Sequence, residues 1–433
     1  MKILVISSTP WSSNNSFGNT YSNLFKDIPG LTFASIALNP VTEVDPIVSS
    51  CFSISEKDLV ENMLHVTRKT GHEINLEILA SRPISGSEAK KLDLSVKSFA
   101  RKKRWMLLFW ARDFIWKFGR WNSPDLRYYL DTVQPDLIFQ PIYFVPHPNV
   151  IAQYVKRYTD APMIGYVSDD VYTLHRFSLS PLFWIDRLIK RRKVKETIQQ
   201  CELLYVISQL QKQEYEKIFR VPCKILTKSL DFSCDPPVKS QYHSPLKLVF
   251  AGNIGTNRWK SLAMIADALE QINQSGVRAQ LYIYTTTPLT TKMEKALQRG
   301  MSSFVMGAVP ASEILKIQTD ADILVHVEAL DLKNRLVVRQ SFSTKLVDYF
   351  KAARLIFAVG PRDVASIQHL IDNDAAVVAS NQKEIYVKLK KIIETPQIIA
   401  DYGKKAYECG RKHHNKEAMQ SMLKEDLVRI ARQ

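Results

Sequence analysis

Two doubly wound α/β domains are what this sequence predicts, and three observations carry the prediction. The 433 residues exceed one ordinary domain and suit two of about 200 each. Short, β-branched apolar runs alternate with stretches long enough for a helix, the pattern of parallel sheets joined by helical crossovers. The alternation lapses at 231–245, DFSCDPPVKSQYHSP, where proline and polar residues gather and periodicity is lost.

In the first half, strands are predicted at 3–7, 33–38, 137–141, 163–168, 204–208 and 224–227. In the second half they fall at 247–251, 281–284, 304–306, 323–327, 355–359 and 376–379. Residues 56–130 break the rhythm and read as mostly helical. The expected division is a first domain over 1–235, with a helical, basic and aromatic insertion at about 80–130, and a second over 236–415. Residues 416–433 are expected to form a closing helix that returns to the first domain. Composition is that of globular cores, 45% hydrophobic and 24% charged. No apolar run is long enough to predict a membrane-spanning helix. The opening MKILVISSTPW reads as a first strand rather than a signal peptide. Five cysteines, odd in number and without metal-type spacing, point to a reducing compartment.

Ligands of open parallel sheets bind beyond the carboxyl ends of the strands. Two loops there carry chemistry. The first, GNIGTNRWKSL at 252–262, offers Gly252 and Gly255 for a close turn, a helix start near Trp259, and the Arg258 guanidinium for a diphosphate. On its own this turn is equally a solvated Arg beside a helix. The second, VVRQSFSTKLVDYFKAARLIFAVG at 337–360, places Ser343 or Thr344 as helix cap. Lys345 and Asp348 follow on one helix face, three residues apart. A cation there suits phosphate oxygens, and a carboxylate can accept from two ribose hydroxyls. The plain alternative is a surface Lys–Asp pair.

The segment FSTKLVDYFKAARLIFAV resembles the S-K-L-x-E-Y-x-A-x-G-x-P-x pattern of family 4 glycosyltransferases, retaining enzymes of the GT-B fold. SFVMGAVPASEILKIQTDADILVHV at 303–327 is similar to the passage that precedes it in that family. The likeness covers about 170 residues of the second half and extends weakly into the first. It implies two Rossmann-like domains facing across a cleft, the second holding a nucleotide-sugar donor and the first the acceptor. By this resemblance Asp348 holds the ribose, Lys345 and Arg258 contact the diphosphate, and the backbone around Gly307–Val309 meets the base. Two departures stand out. Asp348 is one methylene shorter than the family's Glu, and the first acid of the pair falls on neutral Gln340, a position facing the donor sugar.

In the first half, the turn STPWSSNNSFGNTYSNLF at 8–25 brings Gly18 and Asn19 toward the cleft, or is simply an N-capped helix start. Asp169 and Asp170 end the strand at 163–168 and resemble the acidic turn that relatives carry near the reacting sugar. Asp320-Ala321-Asp322 reads as structural, and His413-His414 as a solvated helix face. No metal site, cofactor or nucleophile–His–acid arrangement is expected.

The formal net charge of +16 is concentrated. Residues 97–121 hold eight Lys/Arg, one acid and four of the seven tryptophans, and residues 186–196 hold six Lys/Arg and two acids. Basic residues mixed with aromatics on a helix suit an anionic membrane surface, or else pack partly in the core. The expectation is a metal-independent glycosyltransferase, cytoplasmic and peripheral on the inner membrane face. It uses a nucleotide-sugar donor and a glycan or lipid-linked acceptor in cell-surface polysaccharide synthesis, and no nucleic acid. The competing readings are a basic nucleic-acid-binding protein, for which no module is present, and a GT-B-shaped nucleotide-sugar isomerase.

Overall fold

The computed structural model describes residues 1–12, 14–81 and 106–432. Apolar runs that are buried on both faces become parallel strands, because only helices on either side can keep them from water. The first sheet contains β1 (Lys2–Ser7), β2 (Thr32–Ala37), β3 (Val48–Ser53), β4 (His72–Glu73), β5 (Leu137–Pro141), β6 (Met163–Val167), β7 (Leu203–Val206) and β8 (Cys223–Ile225). Its order is β4-β3-β2-β1-β5-β6-β7-β8, parallel except for β4, which runs antiparallel to β3. The second sheet contains β9 (Leu246–Ala251), β10 (Ala279–Tyr284), β11 (Ser303–Gly307), β12 (Ile323–Val327), β13 (Leu355–Val359) and β14 (Val377–Ala379). It is parallel throughout, in the order β11-β10-β9-β12-β13-β14. Strand order reverses between β1 and β5 in the first sheet and between β9 and β12 in the second. Those reversals open the crevices where ligands of such sheets bind. The prolines of 231–245 lie between the last strand of one sheet and the first strand of the other.

The structure adds to and corrects the sequence reading. β3 was not predicted: its VSSCFS carries three serines and no continuous apolar run. β4 sits inside the stretch expected to be helical. The basic residues at 97–105 lie outside the described residues, but the helix Met106–Phe118 is described. Trp116 on it is core, stacked on His147 at 4.4 Å with its indole N–H donating to Glu56. His414 is not solvated. It is buried between Phe342 and Phe350, with Nδ1 paired to Thr227 Oγ1 at 3.0 Å. Asp322 is a structural acid, fully buried under Lys239 and His243. The helix Lys416–Ala431 packs on the first sheet's side of the molecule, where Asp426 accepts from Tyr205 and Lys224 at 2.8 and 2.7 Å. All five cysteines are free thiols, four of them buried.

Candidate functional site

Across the second sheet, the strands' carboxyl ends line up Gly307, Tyr284, Gly252, Glu328 and Gly360. Gly252 donates its N–H to the Tyr284 carbonyl at 2.8 Å, and Gly307 accepts from Thr285 at 2.9 Å. Gly252 and Glu328 thus flank the strand reversal. Gly307 has φ of 78°, a left-handed conformation that favours glycine, and the space beside its Cα is open. Val309 follows, half-buried, in the loop before the helix Ala311–Asp320.

Over the reversal sit two cations. Arg258 opens the helix Arg258–Ile272 and Lys345 opens the helix Lys345–Ala352. Lys345 Nζ lies directly over Gly252, where any Cβ would overlap it, and 5.8 Å above the Phe250 ring. The missing Cβ of Gly252 thus leaves the space that the lysine end occupies at the sheet edge. Burial, then repulsion from Arg258, lowers the Lys345 pKa. We expect Gly252→Ala to push Nζ aside and lower activity about tenfold, within the range a misplaced catalytic group costs. Steady-state kinetics at unchanged thermal stability checks this.

Between the cations lies a residue that the sequence reading passed over. Glu328 follows β12 directly and is buried. Arg258 donates from both Nε and Nη2 to Glu328 Oε2 at 2.9 Å. Burial raises the Glu328 carboxyl against the opposing pull of Arg258 and Lys345. His326 lies 3.7 Å from the same carboxylate, held neutral by burial with its pKa lowered to about 3. The only sequence signal was an acid immediately after a largely apolar strand, ILVHVE. Such a charge stays buried only if it is paired.

Thr344 occupies the cap position before Lys345, but its hydroxyl makes no capping bond, and Ser343 lies half-buried before it. Asp348, in the same first turn, pairs with Lys228 at 2.6 Å. Lys228 comes from the stretch after β8, so this contact joins the two halves of the chain.

In the first domain, Asp169 and Asp170 follow β6 but do different work. Asp170 is buried and accepts from the N–H groups of Tyr172 and Thr173 and from the Thr173 hydroxyl, with Arg176 at 3.0 Å and Arg187 at 3.6 Å. It anchors its own loop. Asp169 accepts from the hydroxyl of Ser341, in the second half of the chain, at 3.0 Å. One edge of Asp169 meets solvent while protein crowds its carboxylate, and that crowding raises its pKa. Gly18 is buried against the backbone of Ser12, with no room for a Cβ, and its N–H caps onto Asn15. That glycine serves close packing above the aromatic core of Trp11, Tyr21 and Phe25. Asn19, exposed on the same helix, lines a recess of about 300 Å³ with Asn23, Lys26 and Lys416.

Gln340 is only 1% exposed. Its side-chain amide donates to Glu214 at 2.5 Å, and its backbone carbonyl accepts from the Ser208 hydroxyl. Arg339 reaches the same Glu214 at 2.6 Å. Arg176 donates to the carbonyls of Leu336 and Val337. The site is thus two linked groups: Arg258, Lys345, Glu328 and Gly252 at the sheet edge, and Asp169, Gln340 and Glu214 where the domains touch. Among the described residues no cluster of three or more His, Cys, Asp or Glu is arranged to hold a metal. No described helix is long and apolar enough to cross a membrane.

No protein-family model matches the chain, and no curated protein does. Solved structures do. Anabaena Alr3699/HepE in complex with UDP superposes with a TM-score of 0.64 at 10% identity, over 99% of this chain and 100% of that one. Sucrose-phosphate synthase from Thermosynechococcus elongatus gives 0.60 at 12% identity, over 99% and 98%. An α,α-trehalose-phosphate synthase (UDP-forming) from Burkholderia vietnamiensis gives 0.59 at 10%, over 99% and 100%. Agreement over the full length, at identities this low, establishes a shared fold: two parallel α/β domains of the GT-B type.

Proposed function

We propose that this chain is a glycosyltransferase that moves a sugar from a nucleotide-sugar donor to a glycan or lipid-linked acceptor, with retention of configuration. The observation that carries the reading is the pair Arg258 and Lys345 over a glycine at the strand reversal of the second sheet. Two fixed cations beside helix starts suit a nucleoside diphosphate. HepE, which has the same fold, was solved with UDP and glucose. In this reading Asp348 exchanges Lys228 for the donor ribose, while Ser343, Thr344 and Gly252 border the phosphates. Gly307 and Val309 border the base. Gln340 faces the sugar once its contact with Glu214 loosens, and Asp169 holds the reacting sugar or acceptor hydroxyl. Asp170 shapes the loop that presents Asp169. Gly18 sets the first domain's cleft turn, and Asn19 lies on the acceptor side.

The reaction breaks the bond between the anomeric carbon and the diphosphate oxygen and the acceptor's O–H bond, forms the bond from the anomeric carbon to the acceptor oxygen, and passes the hydroxyl proton to the departing diphosphate. Negative charge develops on the leaving diphosphate, and preorganised cations there stabilise the transition state without reorganisation. The chemistry therefore needs no metal. Transfer is expected to persist in excess chelator; complete loss that Mg²⁺ or Mn²⁺ restores would contradict this. We assign the chain to polysaccharide synthesis, at the cytoplasmic face of a membrane. The test is incubation with a panel of nucleotide sugars and candidate acceptors, reading released diphosphate and the anomer formed.

A further inference from the structure

The helix Pro181–Ile198 buries Val194 and Ile198 in its second half in the ordinary way, but its first half is amphipathic in the wrong sense. Its inward face carries charge: Asp186, Arg187 and Lys190 are all buried. Lys190 pairs with Asp186 at 2.8 Å and Asp113 at 3.4 Å. Arg187 donates to the Thr173 carbonyl and stands 3.6 Å from Asp170. Its outward face carries hydrocarbon: Leu182, Ile185, Leu188 and Ile189 are 47–60% exposed, and Leu179 just before the helix is 90% exposed. A water-facing surface helix would show the reverse. The neighbouring helix Met106–Phe118, joined to it through Trp110 and Asp186 at 3.0 Å, also presents Phe114 and Phe118 outward. Several large apolar side chains exposed together on one helix face mark a place where something apolar docks.

Charge identifies the occupant. The exposed face continues into Arg192 and Lys195, with Lys193 beside them, and the one acid there, Glu196, is shared by Arg192 and Lys193 at 3.0 and 2.8 Å. A second copy meeting this face about a two-fold axis would appose the same cations. An anionic bilayer offers both things that the face lacks: acyl depth for the leucines and isoleucines, and negative headgroups for the basic turn.

We infer that the outward face of Pro181–Ile198 is the membrane-docking surface of this protein, its apolar turns entering the headgroup boundary and Arg192 and Lys195 meeting anionic lipid. The position links docking to the site. The segment between Asp170 and this helix carries Arg176, which bonds the second domain, so the docked face lies one loop from Asp169. An acceptor with a lipid tail would then enter the cleft from the bilayer. That last point rests on the glycosyltransferase reading; the docking itself does not.

Vesicle flotation of the full chain tests it, using phosphatidylcholine alone and mixed with phosphatidylglycerol. The parent should bind the mixed vesicles and largely ignore the neutral ones. Arg192→Ser with Lys195→Ser should weaken binding about fivefold per cation removed at low salt, and less at high salt. Leu182→Ser, Ile185→Ser and Ile189→Ser together should weaken it at least about tenfold at low and high salt alike. These positions face solvent, so unchanged melting temperature verifies folding. Nucleoside-diphosphate stabilisation of both variants should match the parent, which separates failure of docking from failure of the donor site. Parent-like vesicle binding by the triple variant overturns the inference. So does a parent that ignores both vesicle types; a dimer that the triple variant then loses would give the face to a second copy.

Discussion

Lys345→Ala is expected to lower turnover by about 10²–10³-fold, the loss that follows when one preorganised electrostatic contact to a developing oxyanion is removed. Lys345 is the cleaner of the two cations to test. Its ammonium lies over Gly252 and shares no hydrogen bond with Glu328, so its removal leaves the fold's polar contacts in place. Arg258→Ala should lower turnover by a similar factor, and it also strips Glu328 of its fork of hydrogen bonds. The two variants therefore separate by stability: thermal unfolding should move little for Lys345→Ala and clearly downward for Arg258→Ala. Near-normal turnover in both would remove the donor site from this sheet edge.

Glu328→Ala should be the most damaging single change to the fold of the site. It leaves Arg258 without its buried partner and facing Lys345, whose remaining counter-charge is Asp348. Breaking a buried pair by deleting one partner costs about 3–5 kcal/mol. Arg258 is partly open to water, so about 2–3 kcal/mol is the expected loss in urea unfolding. Glu328→Gln keeps a hydrogen-bond acceptor and should recover part of that stability. It should not recover donor affinity if the carboxylate is what aims the guanidinium. Glu328 makes no contact with the phosphates in this account; it positions Arg258.

The parallel strands were legible because they are buried on both faces. LIFQP, ILVHV and LIFAV read as apolar runs, and β5, β12 and β13 are buried throughout. VSSCFS was not legible, since its serines hide a strand that only its neighbour β2 completes. Within the site, spacing alone put Lys345 and Asp348 in one helical turn. Partners far apart in sequence were invisible to it. Lys228 and Asp348 are 120 residues apart, Glu214 and Gln340 126, and Arg258 and Glu328 70. No periodicity encodes such pairs. The basic run at 186–196 was visible as charge, but its orientation was not. Which face of that helix turns inward is decided by Asp113, Asp170 and the Thr173 carbonyl, all supplied by other elements. Asp169 and Asp170 looked equivalent in sequence and differ in structure, because one N–H-rich loop wraps only the second of them.

Ligand-induced stabilisation is the measurement that bears most closely on whether Arg258 and Lys345 hold a nucleoside diphosphate. The full chain and its Lys345→Ala variant would be melted with a panel of nucleoside diphosphates and their sugars. A ligand at a hundred times its Kd adds about 2.7 kcal/mol to the native state. At least one base is expected to raise the parent's melting temperature, and the variant is expected to lose most of that rise. A panel that stabilises neither protein, or stabilises both equally, would contradict that assignment.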